Sequence, residues 1–184
     1  GDDEKGAYRT AVQGVSAYLK IADGCRRPCA FCTIPTIKGT MKSRSPELIL
    51  SEAKNLSEAG VRELILIAQD LTDYGSDIGL RDGLANLITD ITKEAPALDW
   101  VRLMYAYPGA VTDKLIEVMA TNDKVVKYLD IPLQHGHPAT LRRMRRPANI
   151  DWVYSTLSKM RRAIPDLAVR TTFIVGYPGE TDEE

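Results

Sequence analysis

No run in this sequence approaches the roughly 18 uncharged residues that a membrane-spanning helix needs, and no secretory leader opens it. A soluble, cytoplasmic protein is the expectation. A dominant charge sign is missing too. The 24 basic and 25 acidic residues leave a formal charge of −1, which excludes a protein basic all over and built to coat nucleic acid. Low-complexity and disordered stretches are absent, and 184 residues with 44% hydrophobic content can build one full core with at most a short appendage. Cysteine is scarce and oddly placed. All three lie within GCRRPCAFC (24–32), one short of the four that most metal sites use.

Both ends read as cut. GDDEKG is a polar lead-in, so residues 1–15 are expected to be a linker and 16–184 a single domain. Thr181-Asp182-Glu183-Glu184 has the S/T-x-x-E form that opens a helix. A fragment of a longer protein, incomplete at its C-terminal end, is the expectation.

Between the ends, short apolar runs alternate with amphipathic segments. AYLKIAD (17–23), RELILIAQD (62–70), WVRLMYAY (100–107), VVKYLDIPLQ (125–134) and LAVRTTFIVGYPG (167–179) read as strands. The second is nearly continuous in apolar character, as in a strand buried on both faces. Ser45-Pro46-Glu47 carries the marks of a helix start, and Leu48, Leu50, Ala53, Leu56 and Ala59 follow at helical spacing before Gly60. Further helices are expected over about 82–95, from a Thr112 cap through Met119, after HGHP, and over 150–163. Five β-loop-α units in series, without consecutive hairpins, predict a parallel sheet with crossover helices. An open doubly wound sheet and a barrel both fit that order. Polar or special residues at every strand's carboxyl end favour the barrel: the cysteine loop, Gln69-Asp70, Tyr105-Tyr107, Gln134-His135 and Gly176-Tyr177. Five strands make it a partial (βα) barrel, TIM-like, of α/β class, truncated after the fifth strand.

Three chemistries compete for Cys25, Cys29 and Cys32. A disulfide leaves one thiol over. Zinc needs four ligands, and the paired C-x2-C arrangement is missing, although His135 or His137 could complete a set. An iron–sulfur cube held by three thiolates keeps one iron without a protein ligand, and an open coordination position is what a catalytic metal needs.

CRRPCAFC directly after the first strand of a βα array resembles the signature of the radical S-adenosylmethionine enzymes. That resemblance implies a [4Fe–4S] cluster on Cys25, Cys29 and Cys32. Its free iron would hold S-adenosylmethionine, which the cluster cleaves to a 5′-deoxyadenosyl radical. YLKIADGCRRPCAFCTIPTIKG and SRSPE are similar to the methylthiotransferase family, and the likeness covers about residues 16–184. Within that family, IAQDLTDYG (67–75), YLDIPLQHGHPATLRRMRRP (128–147) and TTFIVGYPGETDEE (171–184) resemble the branch that methylthiolates the β-carbon of an aspartate on a small-subunit ribosomal protein. The branch that modifies an adenosine of transfer RNA is the alternative, with GQN and LxLPxQSGS-like runs where this chain has AQD and LDIPLQHGH. A non-catalytic metal-binding module is the alternative of another class. The family also carries an N-terminal domain with a second [4Fe–4S] cluster and a C-terminal β-rich TRAM domain. This chain, with neither, is expected to bind one cluster and not to complete methylthiolation alone. An electron donor protein is a further implied partner.

The resemblance assigns Phe31, Gln69, Asp70, Gln134, Arg170 and Gly176 to S-adenosylmethionine. All but Gln134 also have a plainer role. Phe31 could be a core aromatic, Gln69 and Asp70 loop caps, and Gly176 the start of a turn. Arg170, inside an apolar run, could meet the cofactor carboxylate or an acid such as Asp130. Arg142, Arg143, Arg145 and Arg146 read as a solvated basic helix face or as a contact for the ribosome or its acidic protein. His135 and His137 carry no catalytic assignment.

Overall fold

The computed structural model describes residues 14–184, and the GDDEKG lead-in lies outside them. Strands β1 (Ser16–Lys20), β4 (Glu63–Ile67), β5 (Trp100–Leu103), β6 (Val125–Asp130) and β7 (Ala168–Arg170) form one five-stranded sheet in the order β1-β4-β5-β6-β7. Every pairing in it is parallel. Spatial order follows chain order without reversal. A doubly wound sheet must reverse direction at a switch point, so the open partial barrel is the arrangement found.

Helices α2 (Pro46–Glu58), α3 (Gly83–Glu94), α4 (Asp113–Thr121) and α6 (Ile150–Ala163) connect the strands and pack side by side in that order. Their starts obey local chemistry. Ser45 accepts the Leu48 N–H at 3.4 Å ahead of Pro46, and Thr112 accepts that of Leu115 at 3.2 Å. Leu19, Leu64, Leu66, Val101 and Leu129 of the sheet share one core with Ile49, Ile88, Ile91 and Met119 of the helices. Each such side chain contributes about 1.5–3 kcal/mol by leaving water. The alternation in β4 is sharper than its sequence implied: Leu64 and Leu66 are fully buried, while Glu63, Ile65 and Ile67 on the other face are partly open. That face is the inside of an unclosed barrel.

Several elements differ from expectation. The first strand stops at Lys20, and Ala22–Asp23 (β2) turns away to pair antiparallel with Lys42–Ser43 (β3). The segment between β2 and β3 carries all three cysteines and a short helix α1 (Ile34–Lys38). The last strand is three residues, continued only by a parallel bridge between Gln134 and Phe173. Over Thr181–Glu184 the Glu184 N–H turns back on the Thr181 carbonyl at 3.0 Å, and the Glu184 carboxylate meets Thr140 and Arg143 of α5 (Pro138–Arg143). Among the described residues, no helix is long and apolar enough to cross a membrane.

Candidate functional site

The cysteine loop is shaped by the β2–β3 ribbon that frames it. Gly24 leaves β2 with φ 75°, and Cys25 N–H donates to the Gly39 carbonyl at 3.2 Å. Further on, Cys32 N–H donates to Cys29 O at 3.1 Å, and Ala30 N–H donates to Met144 O at 3.0 Å, tying the loop to the end of α5. Cys25 and Cys29 are half-buried, Cys32 is exposed, and all three are free thiols. Burial pushes the Cys25 thiol up.

All three thiols line a cavity of about 310 Å³ at the carboxyl end of the parallel sheet. Phe31 and Ile34 come from the cysteine loop, Ala68, Gln69 and Asp70 from the end of β4, Tyr105 and Tyr107 from the end of β5, and Pro132 and Gln134 from the end of β6. Arg27 and Arg146 complete the wall. Four described non-glycine residues have positive φ, and two of them, Tyr105 (69°) and Gln134 (76°), face this cavity. Left-handed backbone at such residues is costly and collects at functional sites.

Asp70 is 3% exposed and does two jobs. One carboxylate oxygen accepts from Thr72 N–H at 3.0 Å and its hydroxyl at 2.5 Å, capping a 3-10 turn over Leu71–Asp73. The other accepts from Arg27 Nε at 2.7 Å. Burial disfavours the Arg27 charge, but Asp70 and Asp73 outweigh it and hold the guanidinium above its ordinary pKa. The Arg27 and Arg146 guanidinium carbons lie 4.2 and 4.4 Å from the centroid of the Tyr107 ring. Burial raises the Tyr107 phenol, against the pull of Arg146.

Of the residues assigned by resemblance, Cys25, Cys29, Cys32, Phe31, Gln69, Asp70 and Gln134 are brought together here. Phe31 is only partly buried and lies outside the core cluster. Arg170 and Gly176 are not in the cavity wall. The premise that Arg170 is buried needs correction: its side chain is 58% exposed, and it meets the buried Asp130 at 2.5 Å. Gly176 has φ 72°, and a Cβ there would touch nothing, which fits a turn. His135 and His137 also stay away from the thiols. His135 Nδ1 accepts from His137 N–H at 2.9 Å while Nε2 faces Glu180 at 3.2 Å. Among the described residues, no three Cys, His, Asp or Glu side chains converge to hold a single ion. A cluster that takes each thiolate on a different iron fits the donor set.

The basic run is not one face. Arg142 and Arg145 are exposed, Arg143 pairs with Glu184, and Arg146 is buried at the cavity. Arg27, Tyr107 and Arg146 therefore join the site beyond the residues first assigned. Arg27 sits between the cysteines in the sequence and Tyr107 at a strand end, so both carried a signal. Arg146 carried only its membership of a charged run.

Three thiols, with no fourth, thus stand at the mouth of a partial βα barrel, and the chain belongs to the Radical SAM superfamily, which matches residues 19–184. Two similar relatives are named ribosomal protein uS12 methylthiotransferase RimO. The Chloroflexus aurantiacus protein is 54% identical over 96% of this chain and 39% of its own length. The Roseiflexus castenholzii protein is 55% identical over 96% of this chain and 36% of its own. The chain thus spans well under half the length of these curated relatives. Among solved structures, the radical S-adenosylmethionine methyltransferase TsrM from Kitasatospora setae, with cobalamin and a [4Fe-4S] cluster bound, superposes with a TM-score of 0.62. It is 14% identical, over 85% of this chain and 30% of that one, a likeness of fold.

Proposed function

We propose that this chain is the cluster-bearing core of a methylthiotransferase that modifies the β-carbon of an aspartate on the small-subunit ribosomal protein uS12. The observation that carries the reading is the cavity lined by three thiols at the carboxyl end of a parallel sheet. The substrate is taken from the names of relatives at 54 and 55% identity. Cys25, Cys29 and Cys32 would hold a [4Fe–4S] cluster. When bound, the cluster and S-adenosylmethionine supply the radical that abstracts hydrogen and the methyl group carried on sulfur.

The chain's own residues bind and orient. Gln69 and Gln134 offer amide groups from the ends of neighbouring strands, and Phe31 offers backbone and ring. Asp70 is fixed by Thr72 and Arg27, so its carboxylate is set before any ligand arrives. Arg170, level with Asp130, and Gly176, three residues past the Gln134–Phe173 bridge, lie outside the cavity wall and are assigned to the same cofactor by resemblance. Arg170 can keep Asp130 while its remaining donors meet a carboxylate. A second cluster would need thiols beyond the three in this sequence. An electron donor protein and a cytoplasmic setting beside the ribosome complete the proposal.

Anaerobic reconstitution tests the metal: about four irons per chain are expected, with loss of the cluster in Cys29→Ala. Tetrahedral zinc without iron uptake would overturn it. The full-length protein, offered uS12 and transfer RNA separately, should give a methylthio mass shift on uS12. A shift on transfer RNA alone rejects the substrate.

A further inference from the structure

Two arginines enter the cavity wall, and their charges are treated differently. Arg27 is neutralised by Asp70 at 2.7 Å, with Asp73 at 3.8 Å. Arg146 is 9% exposed, yet among the described residues no carboxylate pairs with it. Its Nη2 donates to the Pro132 carbonyl, its Nη1 lies 3.6 Å from Cys29 Sγ, and its buried Nε has no partner. A buried cation without an anion is expensive. The cavity group its Nη1 reaches is the Cys29 sulfur.

Placement of Arg146 costs backbone strain as well. Arg145, in the left-handed region at φ 54°, ends the helical turn after α5, and Arg146 N–H closes it on Leu141 O at 2.8 Å. Glycine is the usual residue at such a stop. The reversal turns Arg146 inward, where the Tyr107 ring stacks on its guanidinium at 4.4 Å. Two ties then join a helix end to a loop more than a hundred residues earlier: Ala30 N–H to Met144 O, and Arg146 to the Cys29 sulfur.

We infer that Arg146 is the built-in counter-charge of the iron–sulfur cluster: it donates to the Cys29 thiolate and holds the reduction potential up. The inference rests on the cluster reading above. Three thiolates around the core leave the assembly net negative, and an added electron makes it more so. Net charge and hydrogen bonds to sulfur are established determinants of such potentials. Arg146 is a positioning residue and touches no reacting carbon in this scheme.

The test is a dithionite-driven redox titration, followed by electron paramagnetic resonance, on the reconstituted chain and its Arg146→Gln and Arg146→Lys variants. Arg146→Gln should lower the reduced-to-oxidised ratio at fixed potential at least tenfold, a fall of 59 mV for a one-electron couple. Arg146→Lys, which keeps the charge, should recover most of it. If Gln cannot assemble a cluster while Lys can, charge compensation is supported as a condition of assembly. Equal potentials in the parent and Gln proteins overturn the inference, as does failure of both variants to load iron, which would mark Arg146 as packing alone. Failure of the parent itself to take up iron would reject the cluster reading instead.

Discussion

Gly24 precedes the first cysteine with φ 75°, and a Cβ there would lie 2.4 Å from the Thr40 carbonyl oxygen. Both the torsion and the contact exclude a side chain, and the obstacle is backbone that cannot rotate aside. Gly24→Ala should therefore displace the loop between β2 and β3 and cut iron uptake severalfold, while the far-ultraviolet spectrum stays that of the parent. Normal iron content in that variant would show that the loop tolerates the shift. Tyr74 makes a different kind of prediction. It is 2% exposed, its hydroxyl donates to Arg44 O at 3.0 Å, and burial pushes its phenol up to about 12. Above pH 10 the unfolded chain loses this proton first, so stability falls between about pH 10 and 12 by up to 2–3 kcal/mol, at about 1.36 kcal/mol per pH unit. Denaturant titrations should show a shallower alkaline decline for Tyr74→Phe, set against a loss of about 1 kcal/mol at neutral pH. An unchanged alkaline slope would refute the assignment.

Some elements of this fold are capped by side chains, and the caps are not equivalent. Thr112 closes only the start of α4, so Thr112→Ala should cost about 1 kcal/mol and leave cluster loading unchanged. Asp70 caps the turn after β4 and also neutralises Arg27 beside the cysteines. Asp70→Ala removes a cap and leaves the half-buried guanidinium only the longer contact to Asp73 at 3.8 Å, with an expected loss of about 2 kcal/mol or more. Chemical denaturation read together with iron content separates the two. Comparable losses, with loading intact in both, would mean that Asp70 is a cap and nothing else. The local meaning of both residues was legible in the sequence, since Thr112 precedes a helical period and Asp70 ends an apolar run. The second role of Asp70 was not, because Arg27 reaches it from 43 positions away in the chain.

At the scale of the molecule, strand order decides the architecture. Five βα units fit an open doubly wound sheet as well as a partial barrel, and only the unreversed order β1-β4-β5-β6-β7 separates them. The same order brings the ends of β4, β5 and β6 beneath the cysteine loop, which is why Gln69, Tyr105 and Gln134 share one cavity. The β2–β3 ribbon escaped the sequence because two-residue strands carry no periodicity to detect. Arg170 met the acid the sequence offered, Asp130, but the burial implied by its apolar run is not found: its side chain is 58% exposed. By itself the sequence determined the thiol count, the alternation of strands and helices and the family signature, because each depends on residues close together in the chain. Tertiary structure alone decided that Arg146 is not a surface charge. Its burial depends on a left-handed turn at Arg145 and on a sulfur 117 positions earlier, and no local pattern encodes a contact at that separation.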